Sequence, residues 1–432
     1  MPSTTPQSAD LLIEARWVLP VAPEAAALAH HAVAIGEGRI LAVGPAAELA
    51  ARFTAREHIT RPGHALLPGL VNAHTRAGRT LLRGRPARTS RQSDESWTTA
   101  ELVRDSTQLA VAEMLLGGIT SFATRDLYPE EVARVAASAR MRASIGLPVA
   151  EGPTAWAESL TGHLDKAERL WDEYPSDPWV RFHFAPDAAH LLSDAALARV
   201  RTVADELDAR LTLPVHETEH EIRDGVARHA LSPIRRLAAL GLLRPGFVAL
   251  HLSRLEQAEL ELLARTGISA VACPQATLRR GLGLCRLTEL LNRGIDVALG
   301  TGSPTAAFAL DMLAEARTAS LLASSLEGVR DALGAERALA LATLGGAAAL
   351  GLKSLVGSIE PGKAADLIAI DLSSIACRPE GSPAEAVLFA ASRDRVSDVW
   401  INGSPRVAQG RLLAFDEQEL LAVARRWEER LS

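Results

Sequence analysis

Between Leu66 and Leu355 the chain alternates short apolar runs with amphipathic stretches, and this alternation restricts the fold more than any other feature. The runs "GITSFAT", "MRASIGLPV", "WVRFHFAP", "RLTLPVHE", "FVALHLS", "ISAVACP" and "DVALGTG" are continuously apolar, the pattern of strands buried on both faces. Between them, "STQLAVAEMLLGG", "SDAALARVRTVADELD" and "RLEQAELELLARTG" carry helical periodicity. Such β/α repetition predicts a parallel sheet covered by helices. The number of strands favours an α/β fold of the (β/α)8 TIM-barrel type over an open doubly wound sheet.

Outside this stretch the texture changes. From about Asp10 to Gly63 short alternating strands are broken by turns, and the same texture returns in "VGSIEPGKAADLIAIDLSS" and "VSDVWINGSPRVAQGRLLAF", punctuated by Gly-Ser, Pro-Gly and Asn-Gly. Residues 1–65 and 356–432 are therefore expected to form one small composite β-sandwich domain, ending in an amphipathic helix in "DEQELLAVARRWEERLS", and residues 66–355 the barrel. A chain of 432 residues has the length for two units, because a single core stops growing at roughly 250–300 residues.

In such a barrel the chemistry sits at the C-terminal ends of the strands. The polar or special residues that end the apolar runs are His74, Arg76, Thr124, Asp187, His216, Glu217, His251 and Gly302. Arg76, Arg79, Arg83, Arg85, Arg88 and Arg91 form a run that reads as a solvated face or as an anion-attracting rim. A formal charge of −6 argues against general affinity for nucleic acid or an anionic membrane surface. No apolar run reaches the ~18 residues needed to span a bilayer, and no basic segment precedes an apolar core at the N-terminus, so the cytoplasm is the expected compartment. Cys273, Cys285 and Cys377 are odd in number and lack CxxC spacing, which signals neither a disulfide framework nor a thiolate zinc site. No phosphate-binding glycine loop is present.

The runs "LLPGLVNAHT", "TLLRG", "AEMLLGGITSF", "GPTAW", "HETEHEI", "RLAALGLL", "CPQATL", "LLNRGIDVALGT", "DMLAEARTA" and "GSIEPGKAADLIAID" together resemble the amidohydrolase superfamily over nearly the whole chain. The branch they resemble holds S-adenosylhomocysteine and methylthioadenosine deaminases, guanine deaminase and triazine chlorohydrolases. The resemblance implies a metal-bearing barrel with a composite β-sandwich, assembly as a homodimer or homotetramer, and zinc or iron as the cofactor of the family. It also implies a mechanism in which the metal lowers the pKa of a bound water and a glutamate on the fifth strand shuttles protons.

Carried over by position, His74 matches the first metal ligand, Glu217 the proton shuttle and His251 the sixth-strand histidine that positions water. The second ligand position is Arg76, the fifth-strand ligand falls on Pro214, and the strand-eight aspartate falls on Gly302. Proline and glycine offer no side-chain donor and arginine stays cationic, whereas a catalytic zinc site needs about three protein ligands. The expectation from sequence is a degenerate metal site with no cofactor. On that basis the chain is a pseudoenzyme, a ligand-binding or regulatory subunit that assembles with itself or with an active paralogue.

The alternative is an active hydrolase, deaminase, lyase or isomerase on a heterocyclic C–N substrate. Glu217 and His251 would act as acid and base, without metal or with a site rebuilt from His74, Asp187, His216, Glu217 and His251. In either case the expected ligand is a small purine-like or triazine-like heterocycle, contacted by His74, Arg76, Arg83, Trp156, Asp187 and His216. Asp187 and Ala272 stand where relatives carry histidines, and "RPARTSRQSDESWTTA" is shorter than the Leu/Trp-rich lid of relatives.

Overall fold

Each apolar run becomes a strand. The computed structural model describes residues 6–22, 26–85 and 98–431. Eight strands, Leu70–Thr75, Ile119–Arg125, Arg142–Val149, Val180–Pro186, Arg210–Val215, Phe247–His251, Ser269–Ala272 and Asp296–Leu299, lie side by side in chain order in one sheet. Neighbours pair in parallel. The last strand returns to the first: Thr75 bridges Gly302, the Gly302 N–H donates to the His74 carbonyl at 2.9 Å, and the Asn72 amide donates to Thr301 Oγ1 at 2.9 Å. The seam depends on glycine, because a Cβ on Gly300 would lie 2.6 Å from the His74 nitrogen. This is the expected (β/α)8 barrel.

The intervening helices start where the sequence caps them. Thr99 accepts from the Leu102 N–H before Ala100–Leu116, and Ser193 accepts from Ala196 before Asp194–Glu206. Glu256 and Glu259 form a capping box at Gln257–Leu263. Phe122, Ile145, Phe184, Leu213 and Phe247 from the strands join helix residues such as Val111, Leu197 and Leu260 in one large core.

The chain ends build a second, eight-stranded sheet. Its central strand, Phe53–Pro68, pairs in parallel with Gln7–Val18 and antiparallel with Leu367–Asp371, so the two termini share one layer. Leu11, Ile13, Val33, Ile35, Leu66, Leu367 and Trp400 fill one of its faces. This sheet is tied to the base of the barrel by Arg142, which meets Asp366 at 2.5 Å. The predicted terminal helix spans Glu417–Leu431. It buries Trp427 and Leu431 against Leu102, with Leu81 and Leu82 alongside, and Trp427 Nε1 donates to Asp105 at 2.9 Å. It thereby braces the 3-10 turn Ala77–Leu82 that follows the first strand at the barrel mouth. Among the described residues no helix is long and apolar enough to cross a membrane.

Candidate ligand site at the barrel mouth

The C-terminal ends of the strands surround a cavity of about 480 Å³, within the size range of small-molecule sites. His74, Arg76, Asp187, Glu217 and His251 line it, and so do Pro214 and Gly302. The backbone here is strained: His216 and His251 have φ of 54° and 75°, a region that side-chain-bearing residues enter at a cost and that is concentrated at functional sites.

On one side of the cavity Glu217 Oε1 lies 3.8 Å from His251 Nε2 and pairs with Arg280. Burial works against the Glu217 carboxylate, but His251 and Arg280 outweigh it and hold its pKa below the ordinary value. Burial lowers the pKa of His251, with Glu217 pulling the other way. The resting pair is thus a carboxylate beside a neutral imidazole, the protonation states of a general base with a neighbouring relay. His74 packs edge-on against His251 with ring centroids 5.7 Å apart. Burial, reinforced by His251, Arg125 and Arg76, drives its pKa well below the usual histidine value.

Glu221 fixes the backbone at this edge, taking the N–H groups of His216 at 3.1 Å and Glu217 at 2.8 Å. Burial raises its pKa to about 7 against those hydrogen bonds.

Across the cavity Asp187 Oδ1 is shared by two guanidiniums, Arg125 at 2.9 Å and Arg76 at 3.8 Å. Arg125 also donates to the Pro186 carbonyl at 2.9 Å. Asp126 is held by the Gly78 N–H at 3.0 Å and by the Thr124 hydroxyl. Gly78 leaves room for this, since a Cβ there would lie 2.9 Å from Asp126 Cγ.

Three of the residues expected to contact ligand lie elsewhere. The left-handed turn at His216 takes its ring off the cavity wall, where Nδ1 meets the Arg254 carbonyl at 2.9 Å and Glu259 at 3.5 Å. Arg83 pairs with Glu113. Trp156 donates to Glu130 at 3.1 Å and packs on His163 with centroids 5.8 Å apart. Arg125, Asp126 and Arg280 line the cavity without having been singled out from sequence. His163, given no role there, also lines it and meets Thr154 Oγ1 at 3.0 Å. Arg88, Arg91 and most of the shortened lid segment lie outside the described residues.

A parallel eight-stranded barrel with a carboxylate beside an imidazole at its mouth is joined to a sheet built from both chain ends. Residues 65–406 match the Amidohydrolase family, and residues 32–55 match an imidazolonepropionase-like composite domain of bacteria. The chain belongs to the amidohydrolase family. It is 36% identical over 437 residues to a 5-methylthioadenosine/S-adenosylhomocysteine deaminase of Teredinibacter turnerae, covering 99% of both chains. A zinc-bound adenosine deaminase from Xanthomonas campestris is 39% identical, with a TM-score of 0.96 over 99% of each chain. A zinc complex of atrazine chlorohydrolase from Arthrobacter aurescens shares the fold at 22% identity, with a TM-score of 0.89 over 96% of this chain and 99% of that one.

These relatives correct the expectation that no cofactor belongs here: the solved neighbours carry zinc, which points to a metal cofactor. The comparisons likewise lend no support to an inactive paralogue. The donors on this chain, however, do not fit a zinc site of the usual kind. Among the described residues no group of three or more His, Cys, Asp or Glu could hold a metal ion. Around His74 stand the guanidinium of Arg76, the ring of Pro214 and the bare backbone of Gly302, none of which donates to a cation.

Proposed function

We propose that the barrel mouth binds a purine-like heterocycle and that Glu217, beside His251, moves protons during hydrolytic loss of an exocyclic amino group. In that reaction a water oxygen bonds to the ring carbon, the C–N bond breaks, and ammonia leaves. Glu217 takes the water proton and passes it to the departing nitrogen. The observation that carries the reading is the Glu217–His251 pair, 3.8 Å apart on the wall of a ligand-sized cavity. The carboxylate is ionised and so able to accept a proton. Relatives named as adenosine and methylthioadenosine/adenosylhomocysteine deaminases supply the substrate class. The three free cysteines agree with action in the cytoplasm.

A second reading is a ligand-binding or regulatory subunit, assembling as a dimer or tetramer with itself or with an active relative. The mismatch at Arg76, Pro214 and Gly302 is what favours it. Ammonia release from adenosine, methylthioadenosine and adenosylhomocysteine, by protein grown with zinc, separates the two. The first reading expects turnover that falls at least about 100-fold in Glu217→Gln. Binding without turnover selects the second, and turnover indifferent to Glu217→Gln overturns the assignment of Glu217.

A further inference from the structure

At the opposite end of the barrel, between the N-terminal ends of its strands and the terminal sheet, lies a cleft of about 1250 Å³, against about 480 Å³ at the mouth. In a (β/α)8 barrel this is not the catalytic end. Three consecutive strands open there on arginine: Arg142 begins the third, Arg181 is the second residue of the fourth, and Arg210 begins the fifth. The pairing register puts all three on the inner face of the sheet. Ser144 Oγ meets His183 Nδ1 at 3.0 Å inside the barrel; Arg142 and Arg181 stand two residues before them, and Arg210 is the paired neighbour of His183.

The three arginines differ in what they meet. Arg142 is held by Asp366 and by the Asn402 side chain. Arg181 and Arg210 have no carboxylate within ion-pair reach among the described residues, and each donates to one backbone carbonyl, Arg181 to Gly351 at 3.5 Å and Arg210 to Ala349 at 3.3 Å. Burial and the neighbouring Arg181 disfavour the Arg210 charge and lower its pKa, against Asp208 and Asp296 acting from beyond that reach. Of the other acids around the cleft, Asp205 pairs with Arg244, and Asp177 takes the N–H groups of Trp179 and Val180 at 2.7 and 2.9 Å. The Arg210 guanidinium is nonetheless firmly seated: it lies on Gly351, where a Cβ would come within 2.6 Å of its Nε. Its nitrogens open into the cleft and are not sealed without a partner.

We infer that this base cleft binds a phosphate group, free or as the ester of a small organic molecule, between Arg181 and Arg210. Two neighbouring guanidiniums without carboxylate partners repel each other, and a phosphate group, with about −1.5 to −2 charge at pH 7 and oxygens that suit the guanidinium fork, relieves that repulsion. The bound group would touch the ends of the fourth and fifth strands and the Ala349–Gly351 turn, far from Glu217 and His251, and would stabilise the fold by mass action.

Calorimetric titration of inorganic phosphate and of ribose 5-phosphate into the full chain, in chloride buffer of fixed ionic strength, tests this. At least one is expected to bind with a Kd of about 1 mM or tighter, and the tighter of the two shows whether the group enters free or as an ester. Arg210→Gln is expected to weaken that binding at least about tenfold and Arg181→Gln at least about fivefold, while Arg210→Lys, which keeps the charge but not the fork, retains part of it. Arg181 is exposed, so Arg181→Gln decides the matter should Arg210→Gln fail to fold. Arg76→Gln, at the mouth, is expected to leave the affinity unchanged. No binding of either phosphate, binding that survives the base substitutions, or binding lost in Arg76→Gln overturns the inference, and none of these outcomes bears on proton transfer by Glu217.

Discussion

At the base of the barrel Arg142 and Asp366 lie 2.5 Å apart with 5% and 1% of their side chains exposed; at the mouth Arg76 and Asp187 lie 3.8 Å apart with 25% and 37% exposed. The chemistry of the two pairs is the same and their settings are opposite. Asp366 also takes the Asn402 N–H at 2.9 Å, and Arg142 donates to the Asn402 side chain. This closed set of hydrogen bonds joins the barrel to the terminal sheet. Burial raises the Asp366 pKa and Arg142 pulls it back. A buried pair of this kind resists the loss of either member, because the partner is left as an uncompensated charge. The Arg76–Asp187 contact is wet and long, and a pair of that kind contributes little to stability.

The contrast predicts effects of very different size. Asp366→Ala should cost about 3–5 kcal/mol in urea unfolding; a loss below about 1 kcal/mol would make the base pair no more structural than the mouth pair. Glu315 extends the comparison, for it is as buried as Asp366 but has no arginine within ion-pair reach among the described residues. It accepts the Gln275 N–H at 3.0 Å, and burial raises its pKa to about 8. Its folded pKa lies above its unfolded one, so its contribution is complete below pH ~4.5 and is lost as pH rises through about 8. The wild-type chain should lose up to roughly 5 kcal/mol across that window from this group, and Glu315→Gln should flatten that part of the pH–stability curve. At the mouth, Gly302 has φ of 67°, and a Cβ there would lie 3.1 Å from that of Ala276. Gly302→Ala is therefore expected to lower the melting free energy by about 1–2 kcal/mol, and a neutral outcome would show that this backbone relaxes freely.

The barrel was legible because strands buried on both faces need continuous apolar runs, and those runs leave a countable pattern. The strand-end rule gathered His74, Arg76, Asp187, Glu217 and His251, which the fold does bring around one cavity. It stopped one residue short on the second strand: that strand runs to Arg125, past the last apolar residue, so Thr124 drew attention and Arg125 did not. Arg280 closes a helix, Pro274–Arg280, whose periodicity says nothing about where its last side chain reaches. His216 and Glu217 are neighbours with opposite fates because a single left-handed residue separates their directions, a torsion that residue types do not encode. Arg83 and Trp156 were placed by Glu113 and Glu130, partners distant enough in sequence to leave no local pattern. The metal expectation followed from donor chemistry at four positions, which speaks for this chain's residues and not for the cofactor that its relatives carry.

The most direct test of the contrast is the unfolding free energy of Arg76→Ala, measured in the same urea series as Asp366→Ala; Asp187 then keeps its 2.9 Å contact with Arg125. A loosely made mouth pair predicts a loss below about 1 kcal/mol for Arg76→Ala. A loss as large as that of Asp366→Ala would show that the Arg76–Asp187 pair is a strut like the one at the base.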